Sequence, residues 1–109
     1  MLFDVKDMLD IAPEDTDQDQ KLKIIIDTIS KRLLPRIGNP DEVPTELEYI
    51  VVEMTIVRYN QIGSEGMRQQ SMQGLLTTYV DTDFSKYQAE IDAYNRRNDT
   101  NVKPRVRFL

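Results

Sequence analysis

The chain has no cysteine, no histidine and no tryptophan among its 109 residues. Without cysteine there is no disulfide and no thiolate to act as nucleophile or ligand, which fits a reducing compartment. Without histidine, the commonest metal ligand and the usual general base near neutral pH are both missing. The two absences point away from an enzyme, and neither a metal nor any other cofactor is expected. No apolar run approaches the roughly eighteen residues that would cross a bilayer. The opening Met1-Leu2-Phe3-Asp4-Val5-Lys6-Asp7 also lacks the basic start and apolar stretch of a secretory signal. A soluble intracellular protein with no membrane partner is the expectation, so Asn98-Asp99-Thr100, formally a glycosylation sequon, is read as chance.

A chain of this length has room for one domain and one core, and a large internal active-site cleft is not expected. The formal net charge of −5 argues against general affinity for nucleic acid or anionic membranes, because neutralising phosphates takes clustered lysine and arginine. That charge is unevenly spread. Acids outnumber bases about two to one from Met1 to Met54, whereas Arg97, Lys103, Arg105 and Arg107 near the other end face only Asp99.

Four helices are expected. A short first one over Val5 to Leu9 takes Asp4 as its N-cap and stops before Pro13. Asp15-Thr16-Asp17 opens a second, in which Leu22, Ile25, Ile26, Ile29 and Leu33 recur at the spacing of one helical face. Pro35 and Gly38-Asn39-Pro40 close it. Thr45-Glu46-Leu47-Glu48 reads as a capping box that starts a third helix. There Leu47, Ile50, Val51, Met54 and Val57 form the core stripe, and Val52, Ile56 and Tyr59 widen the apolar arc so far that the helix is either central or in contact with another subunit. Asp81-Thr82-Asp83 supplies caps for a fourth helix carrying Phe84, Tyr87, Ile91 and Tyr94 on one face, frayed out by Arg96-Arg97-Asn98-Asp99. The expected fold is thus all-α: a small bundle of about four helices in a domain over 1–101, with a long loop between the third and fourth, and an extended arm over 102–109.

The loop, 62–80, is unusual for so small a domain, and such loops are commonly functional. Its start, Gly63-Ser64-Glu65-Gly66-Met67, is no phosphate-binding loop, since no Gly-Lys-Ser/Thr follows and Glu65 would repel a phosphate. Gly63 is the natural stop for the third helix. Met67 and Met72 are adaptable apolar side chains of the kind that mould to a partner surface, although both could instead fold back on the core. Gly74 to Val80 leans toward strand by composition. In the arm, Val102, Pro104, Val106 and Phe108 alternate with Lys103, Arg105 and Arg107 up to Leu109, a period of two that suits an extended segment. With Phe108 its one aromatic, the arm fits an acidic neighbour better than nucleic acid. Asp15, Asp17 and Asp19 imitate the start of an EF-hand loop, but Gln20 stands where the turn needs glycine and Ile26 where the last glutamate belongs.

Several of these phrases occur together in a known setting. The opening Leu2-Phe3-Asp4-Val5-Lys6, the helix ending Val57-Arg58-Tyr59-Asn60 ahead of Ile62-Gly63-Ser64-Glu65-Gly66-Met67, the later Gly74, the start at Asp83-Phe84 and the terminal Val106-Arg107-Phe108-Leu109 resemble the small head-tail connector proteins of tailed bacteriophages or prophages of Gram-positive bacteria. Where similar sequences are rich in serine and acidic residues, this one reads Arg68-Gln69-Gln70-Ser71-Met72-Gln73. The resemblance implies a helical structural protein of the virion head-tail junction, assembled in the host cytoplasm. It would self-associate in a ring beneath the portal protein, meet other junction proteins and extend the channel through which double-stranded DNA passes without sequence preference. It implies no catalysis. On this view Gly63, Ser64, Glu65, Gly66, Met67 and Met72 belong to a partner-binding loop that projects from the body. Lys103, Arg105, Val106, Arg107, Phe108 and Leu109 form an assembly arm, which could add a strand to an edge near Leu75 to Val80 of another copy. The alternative from composition alone is a small helical protein-binding adaptor or regulator unrelated to virion assembly.

Overall fold

Leu22, Ile25, Ile29 and Leu33 are completely buried along one side of a helix, α2, that runs Asp19–Leu33. They are the stripe expected from the spacing, with Ile26 half-buried at its margin. The structure, a computed structural model, describes residues 1–62 and 83–102, the last four of these as backbone only. Its other helices are α1 (Leu2–Met8), α3 (Glu48–Ile62) and α4 (Gln88–Val102), and no strand occurs among the described residues. The all-α bundle expected from the sequence is therefore present.

The helix ends differ from the expected ones, in each case because backbone or tertiary contacts displace a local side-chain motif. The first helix begins at Leu2, with Met1 in the N-cap position and Asp4 inside its first turn. The second begins at Asp19 and not near Asp15, whose Oδ1 instead accepts a hydrogen bond from the Asp17 N–H at 3.1 Å. Pro35 does not end the helical path at once. It sits in the first positions of a 3₁₀ turn, Leu34–Ile37, that continues directly from α2, and Gly38 stops the turn in the left-handed region at φ 90°. The capping box does not form: Thr45–Leu47 is a 3₁₀ turn after Pro44, neither side chain makes the cap, and the Leu47 N–H is satisfied by the Pro44 carbonyl at 2.9 Å.

The third helix is the central element, packed against both α1 and α2. Ile50, Val51 and Met54 are buried as expected, but Val57 is half exposed, and its place in the core is taken by Thr55 and Arg58. Ile62, assigned above to the loop, is the last helical residue and is buried. The fourth helix comes in two pieces, a single helical turn at 83–85 and then α4, with a turn at 86–87 between them. Phe84 and Ile91 enter the core while Tyr87 and Tyr94 pack at its edge, which is the face the sequence marked. The second piece does not fray at Arg96 but runs on to Val102, one residue into the segment expected to be extended.

The contacts fix a polarity. Asp83 meets Arg58, Tyr87 meets Glu53, and Arg97 meets Glu46, so the fourth helix runs antiparallel to α3. Asn95 Nδ2 donates to the Arg36 carbonyl at 3.0 Å, bringing the same end of α4 to the C-terminal end of α2. Because α2 and α3 pack side by side and are joined end to start, they too are antiparallel. One pole therefore holds α1, the start of α2 and the end of α3; the other holds the exit of α4.

Candidate functional site

The segment between Ile62 and Asp83 springs from a closed root. Arg58 lies four residues beyond Met54 and seven beyond Val51, hence on the buried stripe of α3. Its guanidinium grips Asp83 with two hydrogen bonds, Nε to Oδ2 at 2.6 Å and Nη2 to Oδ1 at 2.5 Å. Nη1 also donates to Gln61 Oε1. Both charged side chains are more than nine-tenths buried, so this is a desolvated, bidentate pair whose planar fork fixes direction as well as distance. It holds together chain positions 25 residues apart, across the whole of 63–82. Asp83 was expected to cap a helix, and Arg58 was given no role. A signal for the pair existed: a cation on an apolar stripe needs a buried partner, and an acid stood at the far end of the loop.

A second buried charge ties down α1. Lys6 is almost fully buried, with its ammonium donating to the Pro13 carbonyl at 3.0 Å and lying 2.8 Å from Asp19 Oδ1. No well-directed hydrogen bond reaches that oxygen, so the attraction there is one of charge. This pairing also accounts for the acidic triplet: Asp19 answers Lys6 while Asp15 turns the chain at Asp17. No grouping of three or more potential metal ligands occurs among the described residues.

Along the outside of α3, Tyr87 donates to Glu53 Oε1 at 2.7 Å and meets Tyr49 edge to face, with ring centres 6.4 Å apart. Burial, the hydrogen bond to Glu53 and the nearby negative charges of Glu53 and Glu90 push the Tyr87 phenol far above its ordinary value of 10.0. Burial first, then Glu90 and Glu53, raises that of Tyr49 as well. Both phenols stay protonated near neutral pH. These contacts set the crossing of α3 and the fourth helix.

The residues expected to bind partners, Gly63, Ser64, Glu65, Gly66, Met67 and Met72 in the loop and Lys103, Arg105, Val106, Arg107, Phe108 and Leu109 in the arm, lie outside the described residues. What the fold does supply is their points of departure, at opposite poles of the body. No described helix is long and apolar enough to cross a membrane.

The family model for the phage gp6-like head-tail connector protein matches residues 1–95. The chain belongs to that family. The match takes in α1 to α3, the whole segment between Ile62 and Asp83, and α4 as far as Asn95. No curated protein and no solved structure matches the chain. This head-tail connector is thus a phage structural protein and a virion component, with head-side and tail-side proteins as its partners. The resemblance drawn from Gly63 to Met67 and the flanking phrases is confirmed at the level of the family. The described part of the connector is a core of three helices with a fourth packed antiparallel to α3, and both buried ion pairs fasten segments to that core.

Proposed function

We propose that the connector assembles as a ring beneath the portal vertex, extends the DNA channel toward the tail and acts without catalysis. In this reading the loop around Gly63 to Met72 docks on the portal or another junction protein, and the basic arm from Lys103 to Leu109 contacts a second copy. The observation that carries the reading is the family match over residues 1–95. The polarity of the body supports it, because a ring requires head-to-tail contacts between unlike faces, and the loop root and the arm leave from opposite poles. The net charge of −5 is consistent with a conduit. Duplex DNA carries about one negative charge per 1.7 Å, and a strongly basic wall would hold it in place.

Co-sedimentation tests the reading. The purified connector is expected to pellet with DNA-filled, portal-bearing capsids and to stay in solution with capsids that lack a portal. Replacing Met67 and Met72 together with serine is expected to weaken that binding while leaving the melting temperature unchanged. Equal pelleting with both kinds of capsid would remove the portal from the proposal.

A further inference from the structure

The exposed face of α1 is part apolar and part acidic. Opposite the buried Val5 and Lys6 it presents Phe3, Asp4, Asp7 and Met8 as one contiguous stripe, with Phe3 66% and Met8 69% exposed. Beside it, Lys6, Ile11 and Pro13 complete a shallow groove of about 260 Å³, smaller than most small-molecule pockets and suited to one or two side chains. The Lys6 ammonium, 5.7 Å from the centre of the Phe3 ring, is engaged by the Pro13 carbonyl and Asp19 and forms no ion pair with Asp4 or Asp7. The stripe therefore sets two acids between two large apolar groups.

The sequence of residues 103–109 is its chemical counterpart, with Lys103, Arg105 and Arg107 alternating with Val106 and Phe108 and no acid among them. The two cannot meet readily within one molecule. The arm starts beyond Val102 at the pole where Asn95 bonds Arg36, whereas α1 is pinned to Asp19 at the start of α2. A 15-residue helix separates those poles by about 22 Å, and α4 continues outward past Asn95 for seven further residues.

We propose that the arm of one copy docks on the Phe3–Asp4–Asp7–Met8 face of the next, with Arg105 and Arg107 against the carboxylates and Phe108 in the groove beside Phe3. This is a heterologous contact of the kind that propagates around a ring, and it rests on the ring reading given above. It assigns the arm's partner surface to α1 and not to a strand edge near Leu75 to Val80.

The absence of native cysteine gives a clean test. Full-length Met8→Cys and Leu109→Cys variants, mixed at equal concentration and oxidised mildly on portal-bearing capsids and in free solution, are expected to give a covalent heterodimer. Its yield should be about tenfold above that of Leu109→Cys mixed with Lys31→Cys, a control on the exposed part of α2, and should fall with added salt. Reversing charge with Asp4→Lys and Asp7→Lys in the Met8→Cys partner is expected to lower the yield by about tenfold. Adding Arg105→Glu and Arg107→Glu in the partner is expected to restore it. If charge reversal has no effect, or if arm deletion impairs assembly while the α1 changes do not, the docking is overturned although the ring reading stands. If the heterodimer forms but the connector never associates with portal-bearing capsids, the placement beneath the portal fails and the contact between copies survives. A protein that neither cross-links above the control nor binds capsids refutes both.

Discussion

Replacing Asp83 with alanine is expected to be a costly change for the connector, though it lies outside the apolar core. Both partners of the Arg58–Asp83 pair are more than nine-tenths buried, so truncation leaves a guanidinium in a desolvated site without its carboxylate. Breaking such a pair typically costs about 3–5 kcal/mol. A domain of this size has roughly 5–15 kcal/mol of total stability, so about a fifth or more is at stake. The melting temperature should drop by at least about 10 °C. Urea unfolding followed by circular dichroism measures the loss. The informative comparison is a cycle with Arg58→Met and the double change Arg58→Met with Asp83→Leu. Because an apolar replacement removes the desolvation cost together with the attraction, the double variant should lie within about 2 kcal/mol of the parent, far less than the sum of the single changes. An Asp83→Ala cost below about 1 kcal/mol, or single changes that simply add, would show that the pair does not close the root of the segment.

The Lys6 anchor leads to a graded expectation: Lys6→Met, which keeps the buried stem, should be milder than Lys6→Ala, which should cost about 2–3 kcal/mol, a little less than a fully buried pair because Asp19 is one-fifth exposed. Equal unfolding midpoints for Lys6→Ala and the parent would rule out the anchor. For Tyr87, the folded state favours the neutral phenol, so its contribution to stability is fully present below pH 10 and is lost as pH rises from there toward the raised folded value. Tyr87→Phe should therefore flatten the alkaline loss of stability measured by urea unfolding from about pH 9 to about pH 11. Identical slopes for the two proteins in that window would contradict the Glu53 contact.

Periodicity made the body of the fold legible: the stripes on α2 and on the fourth helix are those that the spacing marks, because burial of one face imposes a repeat that any reader of the chain can count. The ends of the helices were less legible, since a local motif competes with contacts that have no local trace. Thr45 and Glu48 have the letters of a capping box, yet Pro44 sets a 3₁₀ turn whose own backbone bond satisfies Leu47. Asp83 sits where a cap belongs but is held by Arg58, a partner no periodic pattern links to it. Lys6 reads as a surface charge on a short helix, and only the fold of the Pro13 turn back over it reveals its burial. Val57 has the spacing of the core stripe, yet it lies with Asp83, Lys86 and Tyr87 at the break in the fourth helix and stays half exposed.

Arg58 stands on α3 and Asp83 opens the fourth helix, so the clamp between them fixes both where the chain leaves the body and where it rejoins it. For a stretch closed between two fixed stems, a doubling of length adds only about 0.6 kcal/mol of closure entropy. The body thus acts as a gauge: Arg58 and Asp83 set the gap between two posts, and an insert of another length could be strung between the same posts without moving them.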